Sequence, residues 1–182
     1  NKLFSIKKST CFIGIVRIIL FEKYVPPCIE ALRTKFKTIT PIPETAYLNT
    51  LCYLLERLLT PENVPDGSPK DIYELYFVWA CVWAFGGALF EDQIVDHRVE
   101  FTKWWAAEFK TIKFPSQGTV FDYYITDDKR FVHWSEMCAE EKFIFDPEMP
   151  LQATIVPTAE TTRVRFFMDL LMERKRPVML VG

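Results

Sequence analysis

The sequence predicts a mostly α-helical chain with a small β part, an α+β fold, across its 182 residues. Three observations carry that expectation. Apolar residues recur at helical spacing through most of residues 22–109. The period then shortens to the aromatic and β-branched runs TVFDYYI (119–125) and RFVHW (130–134), with Asp127-Asp128 between them as a hairpin turn. A last helical stretch begins at Thr158 and stops at Pro177. It leads into the unbroken apolar run VMLV (178–181), as in a strand buried on both faces of a parallel sheet.

Each element follows from local residues. Residues 22–37 place Tyr24, Cys28, Ala31, Leu32 and Phe36 on one helical face, and Pro26-Pro27 should kink or restart that helix. TITPIP (38–43) reads as extended, because residues before proline avoid the helical region. Residues 44–59 form an amphipathic helix with a wide leucine-rich face, and TPENVPDG (60–67) is a loop. Ser68 is a candidate cap, with Pro69 at the first helical position and Asp71 in the positively polarised first turn. The helix that follows is apolar nearly all round, so it is expected to be buried on several sides until Gly86-Gly87 breaks it. Residues 91–109 are expected to form a further helix, rich in Phe and Trp. Pro115 to Gly118 is turn chemistry, and residues 137–146 are expected to add an edge strand before the linker at 147–150. Thr158 caps the last helix, with Glu160 in its first turn and Arg174-Lys175-Arg176 in its last, as the helix dipole prefers.

Composition bounds the function. Apolar residues make up 49% and include 16 Phe, which fills a core and excludes wholesale disorder. The balance of 22 basic and 24 acidic residues gives a net charge of −2 and no electrostatic case for nucleic acid. Five cysteines, widely spaced and without C-x-x-C, argue against a disulfide scaffold or structural zinc and for a reducing compartment. The apolar runs at 11–20 and 78–90 fall short of a membrane span, so no membrane partner is expected. The chain starts at Asn1, which reads as a fragment.

A helix, a proline stop, an apolar strand and then Gly182 is how a P-loop domain begins. In G-x-x-x-x-G-K-[ST] the glycines let backbone N–H groups approach phosphates and the lysine reaches the β/γ-phosphates. Gly182 would be the first glycine; the rest of the motif is absent, and many buried strands end in glycine.

Longer segments go further. YELYFVWACVWAFGGALFEDQIVDHRVEFTKWW (73–105), EFKTIKFPSQGTVFDYYI (108–125) and TTRVRFFMDLLMERKRPVMLVG (161–182) closely resemble axonemal dynein heavy chains at the junction of the second and third AAA+ modules. YVPPCIEALRTKFKTITPIPE (24–44) and CYLLERLLTPENVP (52–65) fit the same place, and residues 1–20 fall outside the resemblance. The resemblance implies that 21–113 form the helical lid of the second module and 114–182 the beginning of the third, truncated at the P-loop. It implies a parent that is an ATP-driven, minus-end-directed microtubule motor of the cilium or flagellum, located in the cytoplasm within the axonemal cytoskeleton. The parent would use ATP or ADP with Mg and have as partners its own neighbouring AAA+ modules, microtubules, and dynein intermediate and light chains. The 182 residues hold neither a Walker A lysine nor a Walker B acid, so the piece itself is expected neither to hydrolyse ATP nor to bind nucleotide tightly.

The resemblance also assigns site residues. Ile155, Val156, Pro157 and Thr158 lie where AAA+ modules hold adenine, an apolar wall with exposed backbone groups, and Gly182 would begin the phosphate loop. The bland alternatives are a core-edge segment with a helix cap and a plain turn. Gly86-Gly87 sits where lids place a second sensor arginine after a glycine. No arginine follows until Arg98, so a helix bend for packing is the better reading. Asp92, Asp96 and Glu100 are expected to stack on one helical face as solvated charge. His97 and His133 lack nucleophile partners, and Trp79, Trp83, Trp104 and Trp105 fit core packing better than base stacking. No catalytic or metal residue is assigned. Two other classes compete: a stand-alone helical interaction module, and a membrane-surface protein anchored by residues 11–20.

Overall fold

The computed structural model describes residues 2–140, Pro150 and residues 155–180. The helices are α1 (Lys2–Thr34), α2 (Glu44–Leu58), α3 (Lys70–Gly86), α4 (His97–Glu108), α5 (Trp134–Glu140) and α6 (Ala159–Met172). Between α4 and α5 lie a short 3-10 turn, Val120–Asp122, and a two-stranded antiparallel hairpin, β1 (Tyr123–Ile125) and β2 (Phe131–His133). The mostly helical fold with a small β part is as expected.

Helix α3 is the central beam. Its residues from Tyr73 to Val82 are all buried, because its sequence offers no polar face, and α1, α2, the hairpin and α6 pack around it. Trp79 donates from Nε1 to the Tyr123 carbonyl at 2.9 Å, and Trp134 donates to the Phe121 carbonyl at 3.0 Å. The first indole pins the hairpin to α3, and the second ties the start of α5 back to the turn before the hairpin. Gly86 ends α3 where a side chain would not fit: an added Cβ would lie 2.5 Å from Cζ of buried Phe121 and 3.2 Å from Phe101. Gly86→Ala is therefore expected to cost about 1–3 kcal/mol by overpacking, read as a fall in the urea midpoint at unchanged slope. The tryptophans pack as core, as their spacing indicated, and Gly86 serves packing.

Several local expectations are corrected. Helix α1 runs unbroken through Pro26-Pro27. The prolines remove two donors at a cost of about 3 kcal/mol or more. Burial of Tyr24, Val25, Cys28 and Ala31 outweighs that cost. Ser68 does not cap α3; its hydroxyl donates to the Pro65 carbonyl, and Pro69 takes the cap position. Residues 91–96 are a turn closed by a Glu91–Asp96 bridge, and the helix starts only at His97. Both aspartates prefer backbone donors there: Asp92 accepts from the Ile94 and Val95 N–H groups, and Asp96 accepts from Arg98 and Val99 as the cap of α4. Asp92, Asp96 and Glu100 therefore share no helical face.

Five residues, 126–130, join the strands; the Thr126 N–H donates to the Arg130 carbonyl at 3.0 Å, and Lys129 stands in the left-handed region at φ 61°. Trp134 begins α5, so residues 137–140 are helical where an edge strand was expected; 141–146 lie outside the described residues. Arg174, Lys175 and Arg176 lie beyond the end of α6. Residues 178–180 form no strand, and Met179 and Leu180 are 75% and 62% exposed. A parallel strand needs a hydrogen-bonded neighbour, and the described residues supply none there. No helix among the described residues is long and apolar enough to cross a membrane.

Candidate functional site

The residues that the sequence singles out for a nucleotide base form the approach to α6. Ile155 and Val156 are 76% and 55% exposed, Pro157 is half-buried and Thr158 is exposed. Gly182 lies outside the described residues. The backbone of this approach is fixed by a reciprocal threonine cap. The Thr161 N–H donates to Thr158 Oγ1 at 3.1 Å, and the Thr158 N–H donates to Thr161 Oγ1 at 2.8 Å. Thr161 Oγ1 also donates to the Val156 carbonyl at 3.2 Å. The result is an exposed apolar strip at the capped start of a helix. Removing the cap with Thr158→Ala is expected to cost about 1 kcal/mol, whereas Thr158→Ser keeps most of it. Thermal unfolding of the two variants checks this.

Downstream, α6 turns its aromatic pair into the helical body. The Phe167 ring stacks on Trp79 with centroids 5.3 Å apart and meets Trp83 at 4.4 Å, while Phe166 meets Trp134 edge-on at 5.2 Å. Arg163 lies over the Trp83 ring at 5.7 Å and pairs with Glu160. A small cavity of about 210 Å³ remains between α2, α3, the hairpin and α6, lined by Arg57, Asn63, Tyr76, Trp79, Asp127 and Phe166 among others.

On the other side, Arg98 donates from Nε to the Leu89 carbonyl at 2.9 Å, so it is engaged in closing the turn after α3. Buried His97 has Nε2 3.4 Å from Asp92 Oδ2. The Asp92 carboxyl is held down to about 2, chiefly by the Ile94 and Val95 N–H groups. His133 accepts at Nδ1 from the Ser135 N–H and so caps α5. No group of His, Cys, Asp and Glu among the described residues could hold a metal ion.

The family model for the "Dynein heavy chain AAA lid domain" matches residues 19–136. The chain belongs to the dynein heavy chain family. A second model, the "P-loop containing dynein motor region", matches residues 143–182 of this dynein chain. The chain is 65% identical over 165 residues to "Dynein beta chain, ciliary" of Heliocidaris crassispina and 60% identical over 166 residues to "Dynein axonemal heavy chain 17" of Homo sapiens. It is 41% identical over 166 residues to "Dynein beta chain, flagellar outer arm" of Chlamydomonas reinhardtii. The matches cover 90%, 91% and 90% of this chain but about 4% of each relative. They do not favour a stand-alone interaction module.

Sequence reasoning missed two dynein features. One is the welding of α6 to α3 through Phe166-Phe167 and Trp79; the pairing of an aromatic doublet with a tryptophan-rich helix was the available signal. The other is Glu74, buried at 1% exposure inside an otherwise apolar run, where a lone acid signals a buried partner.

Proposed function

We propose that this chain is the junction between two neighbouring AAA+ modules of an axonemal dynein heavy chain. In this reading residues 21–113 serve as the lid of the second module and 114–182 begin the third. The parent is an ATP-driven microtubule motor of the ciliary or flagellar axoneme, working in the cytoplasm with intermediate and light chains. The junction's role is mechanical: it passes the nucleotide state of one module to the next as a shift of packed elements. In this reading the catalytic groups belong to other parts of the parent.

The observation that supports a coupling role is the aromatic weld. Trp79 of α3 touches the hairpin through its indole N–H and α6 through its ring face, so a movement of α6 is felt in the lid. For the base of ATP or ADP, the exposed Ile155 and Val156 fit a flat heteroaromatic ring, and the threonine cap holds the adjoining backbone still. Residues 155–158 would hold the adenine. Phosphates would need the backbone N–H groups of a glycine loop, of which Gly182 would be the first residue.

The test uses the heavy chain that carries this segment. Phe166→Ala with Phe167→Ala should leave basal ATPase activity in place and lower its stimulation by microtubules several-fold. Undiminished stimulation would remove the coupling role. Photolabelling with an azido-adenine nucleotide should mark the peptide containing 155–158, and labelling that spares it would remove the adenine assignment.

A further inference from the structure

The chain leaving α6 is tied to α2 by two ion pairs that span 116 and 120 residues of sequence. Arg57 brings Nε and Nη2 each to 3.0 Å from Glu173 Oε2, and Arg176 Nη2 lies 2.8 Å from Glu56 Oε2. The Arg176 guanidinium also sits over the Tyr53 ring, 4.3 Å from its centre. Tyr53 and Glu56 are three residues apart on α2 and so share a face.

The turn that delivers Arg176 is built for this. The Lys175 N–H donates to the Met172 carbonyl at 2.8 Å, and the Arg176 N–H donates to the Leu171 carbonyl at 3.0 Å. Lys175 stands at φ 55°, the left-handed position that usually holds glycine at a helix end. The chain reverses there and swings Arg176 back beside α2.

We propose that Tyr53, Glu56 and Arg57 of α2, with Glu173 and Arg176, form a charge-keyed clamp. It holds the chain leaving α6 at one register against the lid and opens as a unit. The polarity is crossed: the helix offers an acid then a base, and the turn offers a base to the first and an acid to the second. A displacement that set Glu56 against Glu173, or Arg57 against Arg176, would oppose like charges, so the clamp accepts one alignment and rejects its neighbours. Each pair is partly exposed and weak alone. The clamp therefore holds through its joint action and yields to salt. It fixes the direction in which residues 178–180 depart, and so the geometry that one packed unit hands to the next. It stands on these contacts and not on the adenine reading of 155–158, so either can fail without the other.

Hydrogen exchange at the Lys175 and Arg176 amides, measured in the intact chain, tests it. Glu56→Arg should speed their exchange roughly tenfold, while the double reversal Glu56→Arg/Arg176→Glu should bring it back to within about threefold of the starting chain. The Leu54 and Leu55 amides report whether α2 stays folded. Raising salt to roughly 1 M, where the screening length is about 3 Å, should speed the same amides in the starting chain and not in Glu56→Gln/Arg176→Gln. The clamp is overturned if the single reversal leaves exchange unchanged or the double reversal exchanges as fast as the single. If Glu56→Arg also loosens α2, the salt comparison decides: equal acceleration in the starting chain and the Gln/Gln variant overturns it.

Discussion

Trp79→Ala is expected to lower the stability of the chain by about 4 kcal/mol, with the loss concentrated in the hairpin and α6. Three effects add. The substitution opens a cavity where the indole was 99% buried, given its 1% exposure. It removes the ring face on which Phe167 stacks and the edge that Phe166 meets. It also leaves the Tyr123 carbonyl without the donor that now sits 2.9 Å away. Trp79→Phe separates these contributions: it keeps most of the packing and forfeits the hydrogen bond, for about 1–3 kcal/mol. Guanidinium unfolding gives both values, and exchange at the Thr126 amide, which donates to the Arg130 carbonyl, reports the hairpin. A loss below about 1 kcal/mol for the alanine variant would show that hairpin and α6 do not depend on α3.

The reach of sequence reasoning follows the range of the forces involved. Helices α2 and α3 were readable because their periodicity records their own burial: the leucines of α2 and the continuous apolar run of α3 each state which faces are covered. The cap at Thr158 was readable because capping spans only three residues. Longer-range balances were not. Pro26-Pro27 states a local break, and only the burial of Tyr24 and Cys28 against a distant helix overrides it. Residues 91–96 carry a helical charge pattern, yet Asp92 and Asp96 gain more from backbone N–H groups in a turn. Residues 178–180 read as a buried strand, but a strand is a property of its neighbours as well as of its own side chains. For the candidate site, the resemblance pointed to 155–158 and spacing alone did not. The exposure of Ile155 and Val156 and the threonine lock on their backbone became visible only in three dimensions.

Lys23→Met is expected to cost about 2–3 kcal/mol at neutral pH, although only one side chain of the pair is deeply buried. Glu74 Oε1 accepts from Lys23 Nζ at 2.6 Å and from the Tyr24 hydroxyl at 2.7 Å, and Lys23 also reaches Thr111 Oγ1 at 2.6 Å. One buried acid thus joins α1, α3 and the segment after α4. Burial raises the Glu74 carboxyl, but the hydrogen bonds from Lys23 and Tyr24 and the lysine charges prevail, and it sits below its ordinary 4.5. Burial, and then the bond to Glu74, push the Tyr24 hydroxyl upward, so it stays a donor throughout the working range. A carboxyl depressed by folding contributes stability above its unfolded value near 4.5 and loses that contribution as pH falls through its lower folded value. Without Lys23 the burial penalty dominates and the folded carboxyl rises, so the variant is penalised most when the acid is charged. The difference between the two chains should therefore shrink as pH drops below 4.5, and it should also shrink at pH 7 when Glu74→Gln is added, because the amide still accepts from Tyr24. Urea unfolding of the three chains at pH 7 and pH 4 makes the comparison. A difference that grows on acidification, or a double variant less stable than Lys23→Met alone, would show that Lys23 is not the counter-charge of a buried acid.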